Sequence, residues 1–128
     1  MKIRALLVSP MEHPKIVYLN PTKQELICTL GDVEELESKK IAKNIYVIYD
    51  GEAFLSNAEP NRKIGKTIIV GNLCIVATDD QSVPISLSDE QLLTYAVRFW
   101  NIEEFESLDV TESNIDAMMS RLAKYEYP

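Results

Sequence analysis

Histidine, cysteine and glycine are all scarce in this chain, and each shortage removes a class of chemistry. One histidine among 128 residues leaves any histidine-based triad resting on His13 alone. That residue sits between Pro10 and Pro14 in an expected surface loop, where a solvated ring is the ordinary outcome. The 2 cysteines, Cys28 and Cys74, lack C-x-x-C spacing and lie in apolar runs, so they read as reduced, buried thiols. Together with His13 they scatter three candidate ligands over different elements, a thin basis for a metal site. The 4 glycines form none of the phosphate-cradling or nucleophile-elbow patterns: G-x-G-x-x-G, G-x-x-x-x-G-K-[ST] and G-x-S-x-G are absent, as is H-E-x-x-H. No cofactor is implied, and the expectation is a protein that is not an enzyme.

Long apolar runs are missing as well. No segment approaches the ~20 apolar residues that span a bilayer. The apolar stretch after Met1-Lys2-Ile3-Arg4 ends at Pro10, too short for a secretory signal, so a cytoplasmic protein is expected. Positive charge is in deficit: 13 Lys+Arg against 20 Asp+Glu give −7. That surplus repels phosphate backbones and anionic membranes. Direct nucleic-acid or membrane binding is therefore not expected, whereas a basic protein partner suits the charge.

What remains is ordinary globular material, 46% hydrophobic and 26% charged, of a length that makes one domain. Such a domain buries roughly two-thirds of its unfolded surface and needs no staple. Residues 2–9 put Ile3, Ala5 and Leu7 on one face of a strand and Leu6 and Val8 on the other. Residues 15–19 form a second, antiparallel strand. Thr22 and Glu25 have capping-box spacing, and Gly31 suits a C-terminal cap, which predicts a short helix over 22–30 packed on that hairpin.

The acidic segment 32–38 reads as an edge strand and 44–50 as the strongest strand. Asp50-Gly51 should then turn into a return strand at Ala53–Leu55. Residues 56–66 read as a loop, and Gly71-Asn72 as either a tight hairpin or a bulge within 67–78. Ser88 and Gln91 repeat the capping-box spacing and start a helix to about Trp100. Its broad apolar stripe ends in Phe99 and Trp100 as core anchors. Ile115, Met118, Met119 and Leu122 mark an amphipathic C-terminal helix. The expected fold is α+β, a mainly antiparallel sheet with helices packed on one face. Residues 1–109 would form the domain and 110–128 a helical extension packed on it.

Two groups of residues are candidates for contacts. Asn61, Arg62 and Lys63 follow Pro60 and set two cations beside an amide in an otherwise acidic chain. Arg62 offers a planar fork suited to carboxylate or phosphate, so one reading is an anion or nucleotide site. The other is a structural tie, in which Asn61 and Arg62 bond backbone carbonyls and pin a long loop. Glu34, Glu35 and Glu37 form an acidic cluster whose composition could hold a hard cation, but a charged edge strand that blocks edge-to-edge pairing explains it without function. They are also the candidates for meeting a basic partner. Tyr46 and Tyr49 fall on opposite faces of their strand, and Tyr46 joins the partner candidates.

The order of these segments carries a resemblance. KIRALLVSPMEHPKIVYL at the start, the helix end LICTLGD, the Asp50-Gly51 turn, AEPNRKIG, IIVGNLCIV and SLSDEQL together cover about Lys2 to Phe99. With Pro60-Asn61-Arg62 as their most distinctive piece, they resemble the family called domain of unknown function 3846. That family is found in phages, plasmids and other mobile elements of Firmicutes and related bacteria. The resemblance implies an accessory protein of a mobile element in a bacterial cytoplasm, with no catalytic residue to carry over. The leading expectation is a non-enzymatic protein-interaction module that modulates a host protein, a basic nucleic-acid enzyme or a counter-defence target among them. The alternative is a small-ligand or nucleotide-binding protein using Asn61-Arg62-Lys63, and a homodimer is left open.

Overall fold

The computed structural model describes residues 1–103 except Asp32, Glu34 and Asn57. The expected C-terminal helix and the boundary at 109/110 lie outside the described residues. Eleven elements follow one another: β1 (Ile3–Val8), β2 (Lys15–Leu19), α1 (Lys23–Leu30), β3 (Leu36–Ala42), β4 (Ile45–Asp50), a 3₁₀ turn (Ala53–Ser56), β5 (Pro60–Ile64), β6 (Thr67–Val70), β7 (Leu73–Thr78), β8 (Pro84–Ile85) and α2 (Asp89–Arg98). The main sheet has the order β2-β1-β7-β4-β3, with β8 on the end of β7, and every pairing is antiparallel. A mainly antiparallel α+β architecture is thus present.

β7 takes the centre because all six of its residues can be buried: Leu73, Ile75 and Ala77 face one side, Cys74 and Val76 the other. β1 behaves likewise. Its Leu6 and Val8 join the cluster of Leu92, Tyr95 and Phe99 from α2, while Ile3, Ala5 and Leu7 meet Leu30 and Leu26 of α1. The two helices therefore cover opposite faces, which corrects the expectation of one covered face. The reason is chemical: strands apolar on both sides need cover on both sides. The β5–β6 hairpin shares the α2 side, inserting Ile64 and Ile69.

Local signals at helix ends translate directly. Thr22 Oγ1 accepts from the Glu25 amide, and Gly31 closes α1 at φ 90°. The Glu25 carboxylate turns back to the Asn20 amide. Ser88 and Gln91 form a complete reciprocal capping box on α2.

Elsewhere the chain departs from expectation. Residues 53–56 form a 3₁₀ turn and not a return strand, because β4 already has β3 and β7 on its two edges. The polar stretch 56–66 contains β5, so the Pro60-Asn61-Arg62 segment is strand and not loop. Gly71-Asn72 is neither hairpin nor bulge. Among the described residues β6 pairs only with β5 and β7 only with main-sheet strands, so the dipeptide is a corner between sheets, turned by Gly71 at φ 79°. Trp100 is 51% exposed, unlike Phe99 at 3%.

The two thiols also separate. Cys74 is fully buried and Cys28 lies on the exposed side of α1, which corrects the expectation that both are buried. Burial pushes the Cys74 thiol up to about 12. A thiol reagent without denaturant should therefore modify one site quickly, at Cys28, and leave Cys74 intact. Two equally fast sites by mass spectrometry would contradict this packing. Because the folded Cys74 is the weaker acid, its contribution to stability is whole below the unfolded thiol's ~8.5. It is lost as pH rises toward about 12.

Candidate binding cleft at the end of the sheet

Five chain reversals converge at one end of the main sheet: the segment after β1, the α1 terminus, the Asp50-Gly51 turn, the approach to β5, and the Gly71-Asn72 corner. Between them lies a cleft of about 410 Å³, lined by Ser9, Pro10, Glu12, Leu30, Gly31, Val33, Asp50, Ala53, Ala58, Glu59, Gly71 and Asn72. The charged members of that lining, Glu12, Asp50 and Glu59, are all acidic. The C-terminal end of α1, the negative pole of a helix, adds its partial charge to the same wall.

The walls are held by side-chain amides. Asn61 Nδ2 donates to both the Val8 and Gly71 carbonyls at 2.8 Å, joining the end of β1 to the corner. Asn72 Nδ2 donates to the Leu30 carbonyl at 3.0 Å, fastening the corner to the last turn of α1. Asp50 Oδ1 accepts from the Glu35 and Glu52 amides at 3.1 and 2.9 Å, closing the far side. The Glu12 and Glu59 main chains are pinned as well. The Glu12 carbonyl accepts from Arg62 Nη2 at 2.7 Å and the Glu59 carbonyl from the Gly71 amide at 2.8 Å. Both glutamates are nonetheless exposed. Two exposed acidic residues are thus carried on a pinned backbone at the cleft.

The residues singled out from sequence fall in three places. Asn61 and Arg62 are 0% and 1% exposed and form part of the strut behind the cleft. Arg62 Nε donates to the Phe99 carbonyl at 3.1 Å and Nη1 to Asn61 Oδ1 at 2.9 Å. Burial lowers the Arg62 pKa from its ordinary value, and the Glu103 carboxylate pulls it back up. This is the geometry of the structural tie. Lys63 is exposed on the neighbouring strand position, its amide donating to the Glu103 carboxylate. Glu35 meets the cleft residue Asp50 through its main-chain amide, while Glu37, paired with Tyr49, is on the α2 face. Tyr46 is on the α1 face, lining a separate apolar groove with Leu26 and Ile48. Glu34 lies outside the described residues. The structure thus does not bring Glu37, Tyr46 and the Asn61 strut into one site.

Glu12, Glu59 and Asn72 were not singled out by sequence reasoning. Their neighbours Pro10, Pro60 and Gly71 marked turns, but that these turns share one end of the sheet depends on strand order. His13 is occupied otherwise: its ring stacks on Trp100 at 4.1 Å and its Nδ1 is 2.7 Å from the Trp100 carbonyl. Among the described residues no group of three His, Cys, Asp or Glu could hold a metal ion, and no helix is long and apolar enough to cross a membrane. No family model, curated protein or solved structure matches the chain.

Proposed function

We propose that the chain is a non-enzymatic interaction module, an accessory protein of a phage or plasmid, that takes a basic segment of a host protein into the acidic cleft. The observation that carries this reading is the lining itself, whose charged residues, Glu12, Asp50 and Glu59, are all acidic and share the cleft with the C-terminal end of α1. The charge of −7 supports it at longer range by steering basic surfaces toward the domain. A nucleic-acid-processing enzyme of the host is the proposed kind of partner, since such proteins present Lys and Arg on their working surfaces.

The test is calorimetric titration with an Arg/Lys-rich peptide, comparing the wild type with Glu12→Lys/Glu59→Lys. Both positions are exposed and held by their main chains, so the fold should survive. Binding should weaken at least tenfold in the variant and fall with added salt, as expected for exposed charges. Unchanged affinity in the variant, or binding of a nucleotide in preference to the peptide, would overturn the proposal.

A further inference from the structure

Among the described residues an apolar ledge is left uncovered on the α2 face, beside an open strand edge of the main sheet. β2 is the end strand of the main sheet, and over Ile16–Leu19 it has no charged residue. The opposite edge, β3, carries Glu37, Lys39 and Lys40, charges of the kind that prevent strand addition. Ile16 and Tyr18 pair with Leu6 and Arg4, which places them on the α2 face, yet they are 51% and 64% exposed.

α2 supplies the other wall of the ledge. It follows β1 from the Arg4–Asp89 ion pair at one end to the His13–Trp100 stack at the other. Leu92, Tyr95 and Phe99 face the core, whereas Leu93, Val97 and Trp100 are 67%, 66% and 51% exposed. Trp100, whose amide bonds the Val97 carbonyl, rests on His13 in the β1–β2 connection. The exposed stripe of α2 therefore looks toward β2.

We infer that this ledge is the interface of a two-fold symmetric homodimer formed by antiparallel pairing of β2 with β2 of a second copy. A two-fold axis at Val17 sets Ile16 opposite Tyr18 of the second copy, and the reverse, giving two cross-strand pairs of an aromatic with a β-branched residue. The two α2 helices then run antiparallel on the same face, their Leu93–Val97–Trp100 stripes meeting above the seam. The geometry is isologous, so one patch satisfies itself and no edge is left to propagate at β2. Taking roughly 150–250 Å² for each large side chain, the exposed parts of Ile16, Tyr18, Leu93, Val97 and Trp100 come to on the order of 600 Å² per protomer. Main chain of β2, Met11 and the Lys15 stem bring this near the ~800 Å² per partner of a stable complex. The interface is separate from the acidic cleft and does not depend on the function proposed for it.

Sedimentation equilibrium on the full chain tests it. The wild type should run as a dimer at micromolar concentration. Tyr18→Lys and Val97→Glu, at exposed positions, should each be folded by circular dichroism and raise the dissociation constant at least a hundredfold. Lys40→Glu on the charged edge should leave the dimer intact. A monomeric wild type at ~100 μM, as when the chain's own C-terminal residues or another protein cover the ledge, would refute the dimer, and so would dimers unaffected by Tyr18→Lys and Val97→Glu.

Discussion

Arg62→Ala should lower the melting temperature by about 15 °C. The side chain is 1% exposed and donates to the carbonyls of Phe99, Asn61 and Glu12 and to Asn61 Oδ1. Hydrogen bonds from a charged donor contribute about 1.5–3 kcal/mol each, although they do not add within one network. Alanine also leaves the Phe99 and Glu12 carbonyls facing a hole. We expect a net loss of about 4 kcal/mol, and each kcal/mol is about 3–5 °C in a domain of this length. Arg62→Lys should recover little, because one ammonium group cannot reach acceptors that lie on three separate segments. A melting temperature within 2 °C of wild type, with stabilisation of wild type by an added anion, would instead assign Arg62 to ligand binding.

The strut explains why some of this protein is legible in its sequence and some is not. Helix starts were readable because a cap is a local device. Thr22 with Glu25 and Ser88 with Gln91 satisfy amides within three residues of themselves. The hairpin β1–β2 was readable because Pro10 and Pro14 interrupt two β-rich runs at hairpin spacing. What failed was long-range. The strand Pro60–Ile64 reads as loop because Asn61, Arg62 and Lys63 are polar, and their polarity marks loops in most chains. Here Asn61 and Arg62 point inward and are paid in hydrogen bonds from segments up to 53 residues away, which no local pattern records.

The same limit governs the helices and the cleft. α2 and the two residues after it carry apolar side chains at 92, 93, 96, 97, 99 and 100, a stripe wider than one buried face needs. The sequence pattern does not divide it. The fold does, burying Leu92 and Phe99 and exposing Leu93, Val97 and Trp100, because α2 sits over β1 with the edge strand β2 open beside it. The cleft, likewise, is made of turn residues that were individually visible and collectively invisible. Glu12 and Glu59 are 47 positions apart and line one cleft because Asn61, Arg62 and the Gly71 amide tie the end of β1, the start of β5 and the corner together.

Asn61→Asp tests that tie with almost no change in shape. The amide nitrogen of Asn61 stands 2.8 Å from two carbonyl oxygens, of Val8 and Gly71, and the residue is fully buried. Aspartate of the same volume replaces that donor with an acceptor, so two attractive contacts become oxygen–oxygen repulsions. The new charge is also removed from water. Arg62, 2.9 Å from the other oxygen of the side chain, offsets part of this by gaining a carboxylate partner. The two lost bonds leave buried carbonyls without their donor, at about 1–3 kcal/mol each, so the sum remains a destabilisation of about 3 kcal/mol. The melting temperature should fall by about 10 °C in a thermal scan at neutral pH. Since Asn61 holds the end of β1 to the Gly71 corner, the peptide affinity of the cleft should fall in the same variant at temperatures where it is still folded. A variant as stable as wild type would mean that the two bonds to Val8 and Gly71 contribute little, and that the cleft is held together by something else.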